Sequence, residues 1–392
     1  MGSGIIKNII MKRFYLYCLT LVVVSCCKEK DDPVVPEDPI PVIYSFNGEI
    51  GVNDNSTIAS ADDNLLICGN KSDTISVLKI SKTGASIWQR DFRTSGGRAW
   101  GIAEAGNQEI FVCGTTYRND EASKADVLLV KLNSNGDTIW TKTYGGIEDE
   151  FGYYIITTQD GNLLICGTTD SNTSDGYNNI YLIKTNTNGD TIWTKTLLEP
   201  DQEHPYHILQ TQNGEFLVTG THTVSGAGKE LYLIKISEIG TPLWNKKIDS
   251  QVGKWGLSTV ELTNGDLMTC GKIANDTDTQ VLLIKTDGLG NTYWEKEFGE
   301  TYLDEQANAI QLNADGSYSL TGGFKEQHSG QSQILLIKVD QNGNLLFSKS
   351  FGGHILTYGQ NIIKDVNDDN LITGQSNFSI FMTRTDNNGV FK

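Results

Sequence analysis

The segment Asp160-Gly-Asn-Leu-Leu-Ile-Cys-Gly-Thr-Thr169, followed after eleven intervening residues by Tyr181-Leu-Ile-Lys-Thr-Asn-Thr-Asn-Gly-Asp-Thr-Ile-Trp193, decides the fold. With its flanks it divides into four short β-type runs, 153–158, 162–167, 180–185 and 190–197. Asp160-Gly161 follows the first run and Asn188-Gly189 the third, and such pairs are the strongest short-range hairpin signal. No stretch keeps a 3.6-residue apolar period, which excludes helical solenoids.

The same marks recur along the chain. A Gly follows Cys or Thr at Gly69, Gly114, Gly167, Gly220, Gly271, Gly322 and Gly374, and an apolar run ends in a base at Lys79, Lys131, Lys184, Lys235, Lys285, Lys338 and Arg384. A Gly stands four residues before Trp88, Trp140, Trp193, Trp244, Trp294 and Phe347, whose successive spacings are 52, 53, 51, 50 and 53. Four antiparallel strands per ~40 to 50 residues is the period of a propeller blade. The predicted fold is therefore all-β: a seven-bladed β-propeller of four-stranded antiparallel blades, with six or eight blades as alternatives. The seventh unit stops at Phe391-Lys392 where a fourth strand is due, and Val42-Ile-Tyr-Ser-Phe-Asn-Gly48 matches the fourth strand Trp140-Thr-Lys-Thr-Tyr-Gly-Gly146. The N-terminal strand is thus expected to complete the last blade and remove two open sheet edges. A ring closed within one chain is expected to be monomeric.

The 392 residues carry a net charge of -17, and three bases but no acids lie in the first 25, leaving 28 bases against 48 acids beyond them. Such a surface repels a phosphate backbone, so no nucleic-acid partner is expected. Lys12-Arg13 precede an apolar run from Phe14 to Val24 that is too short to span a bilayer, which needs ~20 apolar residues. Residues 1–25 read as a signal peptide, with Met11 as an alternative start. Val23-Val24-Ser25-Cys26 resembles the lipobox of bacterial lipoproteins, which implies lipid attachment at Cys26, although Cys27 makes the cut ambiguous. Residues 26–41 read as a tether: Lys28-Glu-Lys-Asp-Asp32 is similar to the tag that sends some Gram-negative lipoproteins to the cell surface, and Pro33, Pro36, Pro39 and Pro41 stiffen the remainder of the tether. The propeller is assigned to 42–392. The expected location is the outer membrane, on the cell surface or the periplasmic face, with membrane contact through the lipid alone.

The pattern Asp-Gly-x-Leu-x-x-(Cys/Thr)-Gly, Leu-Ile-Lys-Thr, Asn-Gly-x-x-x-Trp resembles the propeller repeats of secreted and surface lipoproteins of Gram-negative bacteria, over residues 42–392. It is also similar to the tryptophan-docked repeats of quinoprotein dehydrogenases and of the propeller lipoprotein that assists outer-membrane barrel assembly, whose units are nearer ~40 residues. Kelch repeats share the longer period but require a glycine pair that this chain does not repeat.

Cys68, Cys113, Cys166 and Cys270 share a repeat position filled elsewhere by Thr219, Thr321 and Thr373, which points to small buried strand residues and not to disulfides. The repeated Trp reads as packing between sheets and the repeated base as a strand-end charge. Of five histidines only His204 and His207 are close, and without ligand spacing no metal site is expected. The acidic run Asp365-Val-Asn-Asp-Asp-Asn370 lacks the Gly and closing Glu of a calcium loop and reads as a turn. No nucleotide or cofactor fingerprint is present, and no cofactor is expected.

The long connections, second-to-third strand and blade-to-blade, fall on one face of such a meander, where binding residues concentrate. At its mouth one repeat position carries Trp100, Tyr153, Tyr206, Trp255, Asn308 and Gln360, aromatics and amides suited to a sugar or peptide. Glu150, Glu203 and Glu305 have the character of paired acids for glycoside cleavage, yet their recurrence points to a repeated backbone hydrogen bond. The expected function is a binding or scaffold module for a glycan, peptide or protein partner, without assigned catalytic residues. The alternatives are a glycan lyase or hydrolase acting at the channel mouth and a periplasmic assembly factor.

Overall fold

The computed structural model describes residues 44–46 and 56–392, apart from 72–73, 119–123, 172–177, 199–200, 225–227, 249–251, 275–277, 328, 353–356 and 377–378. The segments read as signal peptide and tether, with Cys26, lie outside the described residues, as do His328 and His354. The described chain is built of antiparallel strands in successive repeats, 57–93, 98–144, 150–197, 202–248, 254–298, 303–351 and 357–385. In the third repeat the strands are Glu150–Thr157, Leu163–Thr169, Asn179–Thr185 and Thr191–Leu197. The innermost strand therefore begins three residues before the sequence expectation.

The expectation of seven separate four-stranded blades needs correction. Five sheets stand alone as four-stranded blades, whereas the repeats at 254–298 and 303–351 share a sheet of eight strands. They are joined by one parallel bridge, Thr279 to Asp304, where the Thr279 hydroxyl donates to the Glu305 carbonyl at 3.3 Å. The last four-stranded sheet is completed from the other end of the chain: Tyr44–Phe46 pairs antiparallel with Ser379–Thr385, with Tyr44 opposite Met382.

Each repeat buries both faces of its inner strands. Leu163–Thr169 is buried at every residue, which is what a sheet sandwiched between two neighbours requires. The apolar side chains gather into clusters shared by successive repeats: Leu164, Cys166 and Leu182 meet Ile208, Val218 and Ile234. The last such cluster joins the ends, with Leu371, Ile380 and Met382 against Leu65, Ile67 and Leu78. Thr373 Oγ1 donates to Thr57 Oγ1 at 3.0 Å across the same seam. Cys68, Cys113, Cys166 and Cys270 are free thiols, 0 to 1% exposed, and burial raises the pKa of the first three.

The tight-turn end explains the sequence marks. Gly189 adopts φ +73°, and the turn is held by Gly189 N–H donating to the Asn186 carbonyl at 2.9 Å. A Cβ there would also stand 2.7 Å from the Trp140 ring of the preceding repeat, so the Asn-Gly turn and the Trp of neighbouring repeats fit each other. Lys142 reinforces the fit, 5.4 Å from the Trp140 ring and donating to Asp190 at 3.0 Å. The repeated base is more than a strand-end charge: it is nearly buried and paired with an acid at the first turn. Lys79 meets Asp62 at 2.5 Å, Lys131 meets Glu109 at 2.7 Å, Lys184 meets Asp160 at 2.7 Å and Lys338 meets Asp315 at 3.0 Å.

Candidate functional site

The Gly after Cys or Thr positions the site. A Cβ on Gly167 would overlap the Phe151 carbonyl, and one on Gly114 the Arg98 carbonyl, because the innermost strand bulges toward this point. The register of the innermost strand skips one residue there: Tyr153 between Gly152 and Tyr154, Trp100 between Ala99 and Gly101, and Tyr206 between Pro205 and His207. Asn308 and Gln360 are the skipped residues in the last two repeats. A bulge re-aims a side chain and commonly sits beside functional sites. Trp255 does not occupy this position. In its repeat the skipped residue is Leu257, buried, and Trp255 lies two residues earlier opposite Lys272.

The bulged residues and those two positions before them interdigitate. Trp100 meets Tyr153 edge-on at 5.8 Å between ring centroids, Tyr153 stacks with Phe151 at 6.2 Å and meets His204 at 4.8 Å, and His204 meets Tyr206 edge-on at 4.5 Å. An arc of half-buried aromatic rings thus crosses three successive repeats. Trp255 follows, with Lys229 and Lys272 against its ring at 5.5 and 5.0 Å. Amides then take over. Lys272 donates to Gln306 Oε1 at 3.2 Å, the Gln306 amide to Asn308 Oδ1 at 2.8 Å, and the Asn308 amide to Gln360 Oε1 at 3.1 Å. Sequence reasoning found the bulge position. It missed Phe151, His204 and Gln306, which share the position two residues before the bulge, and Lys229 and Lys272, which come from other strands.

Below the mouth a cavity of about 290 Å³ is lined by the innermost strands of six repeats, including Tyr154, His207, Ser258, Asn308 and Asn361. His207 meets Tyr154 edge-on at 5.0 Å, and its Nδ1 has no hydrogen-bond partner among the described residues. Burial lowers the His207 pKa to about 4, and burial with the nearby Lys229 lowers His204 to about 4, so both rings are neutral near pH 7. Around the mouth, successive inter-repeat loops each expose one large apolar side chain: Ile147, Leu198, Val252 and Tyr302.

The three glutamates are buried. Glu150 accepts the Gly146 N–H at 2.6 Å and the Thr169 hydroxyl at 2.6 Å, and Glu305 accepts the Glu300 N–H at 2.7 Å. These two brace inter-repeat loops, as the recurrence implied. Glu203 instead lies 3.9 Å from His222. His222 Nε2 accepts from Lys247 at 3.2 Å, which leaves Nδ1 to donate to Glu230 at 3.0 Å. The acidic run at 365–370 is a turn, with Asp365 and Asp369 both held by Arg384, at 2.6 and 2.7 Å.

No protein-family model matches the sequence, and no curated protein is significantly similar to it. Among solved structures, the chain is similar to a polysaccharide lyase of family PL25, an ulvan lyase bound to -[GlcA(1-4)Rha3S]-. The TM-score is 0.57 at 11% identity, covering 88% of this chain and 96% of that one. It is also similar to the WD40 domain of Pan2 from Neurospora crassa, with a TM-score of 0.54 at 9% identity over 87% of this chain and 91% of that one. At these identities the likeness shows a propeller fold and nothing about chemistry.

Proposed function

We propose that this protein is a glycan-binding module whose mouth on the long-loop face stacks sugar rings. The single observation behind this reading is the arc Trp100, Tyr153, His204 and Tyr206, with ring centroids 4.5 to 5.8 Å apart, continued by Trp255 and by a run of amides. Aromatic faces take up the apolar faces of pyranose rings, and amides hydrogen-bond hydroxyls without requiring one linkage. Catalysis is the weaker reading, because Glu150 and Glu305 are engaged with loop backbone. We count the eight-stranded sheet as two blades, so the ring has seven. Lipidation at Cys26 and the 26–41 tether hold the propeller, as a monomer, at the outer membrane with its mouth open to extracellular polysaccharide.

Two experiments test this. Electrophoresis of the purified propeller through gels containing soluble polysaccharides is expected to show retardation that the Trp100→Ala/Tyr153→Ala/Tyr206→Ala variant loses; a variant retarded like wild type would remove the arc from the account. Protease treatment of intact cells is expected to shave wild type, while Cys26→Ala is released from the membrane fraction. Protection of wild type until the outer membrane is breached would place the mouth in the periplasm and favour an assembly role.

A further inference from the structure

The aromatic arc is electrically neutral, but the neighbouring segment around Trp255 is not. At the turn end, bases such as Lys79, Lys131, Lys184 and Lys338 each meet an acid at 2.5 to 3.0 Å. Lys229 and Lys272 differ: among the described residues neither has a carboxylate within ion-pair distance, in a chain of net charge -17. Both ammonium groups lie against one indole, that of Trp255, at 5.5 and 5.0 Å. Among the described residues Lys272 donates to one acceptor, the Gln306 amide oxygen at 3.2 Å. Burial lowers the Lys272 pKa and Lys229 lowers it further, opposed by Asp304, whose Oδ1 accepts from Gln327 at 3.3 Å.

These groups come from separate elements: Lys229 from Gly228–Ile236, Trp255 from Lys254–Glu261 and Lys272 from Leu267–Ala274. Their convergence is therefore not a by-product of one strand's alternation. Two like charges sharing a half-buried ring repel each other, and a bound anion relieves that repulsion while gaining charge-assisted hydrogen bonds. The acidic remainder of the chain offsets little of this, because its field is screened beyond ~8 Å at physiological ionic strength.

Resting on the glycan-binding reading, we infer that the mouth selects anionic glycans: the sugar rings lie on the aromatic arc and an acidic substituent sits between Lys229 and Lys272 beside Trp255. The arc favours a polysaccharide over an acidic peptide, since a peptide offers no run of flat apolar faces at ring spacing.

The test is gel retardation of the purified propeller by alginate and polygalacturonate (carboxylate), carrageenan (sulfate), laminarin and mannan (neutral), and poly-glutamate (charge without sugar). The expected result is retardation by at least one acidic polysaccharide, about tenfold stronger than by the neutral ones, and weakened about tenfold by Lys229→Gln/Lys272→Gln. Whether alginate or carrageenan acts separates carboxylate from sulfate. The wild-type response to salt stands independently of the variant, and retardation should fall as sodium chloride rises from 50 to 500 mM, over which the Debye length shrinks about threefold. Equal retardation by neutral and acidic polysaccharides, insensitive to salt, overturns the anion inference and leaves the glycan reading intact. Equal retardation by poly-glutamate replaces sugar recognition with charge recognition. Retardation by none of them overturns both readings.

Discussion

The two ends of the ring treat the same repeat differently. At the tight-turn end one contact is made again and again: the turn glycines Gly136, Gly189, Gly240 and Gly290 sit over Trp88, Trp140, Trp193 and Trp244 of the preceding repeat. Side chains at the end of one innermost strand cap the first turn of the repeat before it, as when Glu104 accepts the Ala61 N–H at 2.6 Å and Gln210 the Gln159 N–H at 2.7 Å. At the long-loop end the bulge is equally regular, yet its occupants are Trp100, Tyr153, Tyr206, Leu257, Asn308 and Gln360. A position that must fit a neighbouring repeat has one good solution, whereas the bulge accepts aromatic, aliphatic and amide side chains on one backbone, Leu257 and Asn308 buried and the others half-exposed. Chemical variety on a fixed backbone frame therefore marks where the molecule meets something else.

The largest effect is expected where the frame itself is broken. Gly167→Val drives a side chain into the Phe151 carbonyl and should cost about 4 kcal/mol in urea denaturation. A cost near zero would mean that the bulge can relax, and would dissolve the distinction between frame and occupant. Trp140→Ala removes a half-buried ring, its fit under the Gly189 turn and its Lys142 contact, and should cost about 2 to 3 kcal/mol without weakening glycan binding.

Acid should loosen the two ends in succession. His204 and His207 have folded pKa values of about 4, below the ~6.5 of an unfolded histidine, so the unfolded chain takes the proton first. Their contribution is complete above pH 6.5 and falls as the pH drops toward 4, on the order of 2 kcal/mol for the pair after discounting partial exposure. At the turn end, the Ser317 hydroxyl and Lys338 hold Asp315 at about 2. Burial pushes Asp160 up, but Lys184, Thr158 and Asn162 hold it below the usual carboxylate range. These carboxylates contribute fully above the unfolded value of ~4, and that contribution is lost as the pH falls through the folded values. Urea midpoints from pH 7 to 2.5 should show both windows, and His204→Gln/His207→Gln should abolish the upper one alone. A variant that keeps the upper slope would place its origin elsewhere.

Much of this was legible in the repeat. The repeated Trp was read as packing between sheets, as Trp140 against Gly189 bears out, and the residue at the bulge was picked out in five of the six repeats where the bulge is described, although the bulge itself was not foreseen. Trp255 was misplaced because an aromatic was matched to aromatics; counting back from Gly271, as from Gly167, leads to Leu257. Lys229 and Lys272 were invisible because neither falls on a repeated mark of the sequence. The joining of two repeats into one sheet rests on a single bridge at Thr279, which no residue type announces.

The smallest stability effect per ring should accompany the largest loss of function. The central claim is that the mouth is an occupant of the frame and not part of it, and urea denaturation of Trp100→Ala/Tyr153→Ala/Tyr206→Ala beside its polysaccharide gel retardation tests this most directly. The account predicts a stability loss of about 1 kcal/mol per ring, below that of Trp140→Ala, with retardation reduced at least about tenfold. A loss per ring larger than that of Trp140→Ala, with retardation unchanged, would show that the aromatic arc is packing and contradict the account.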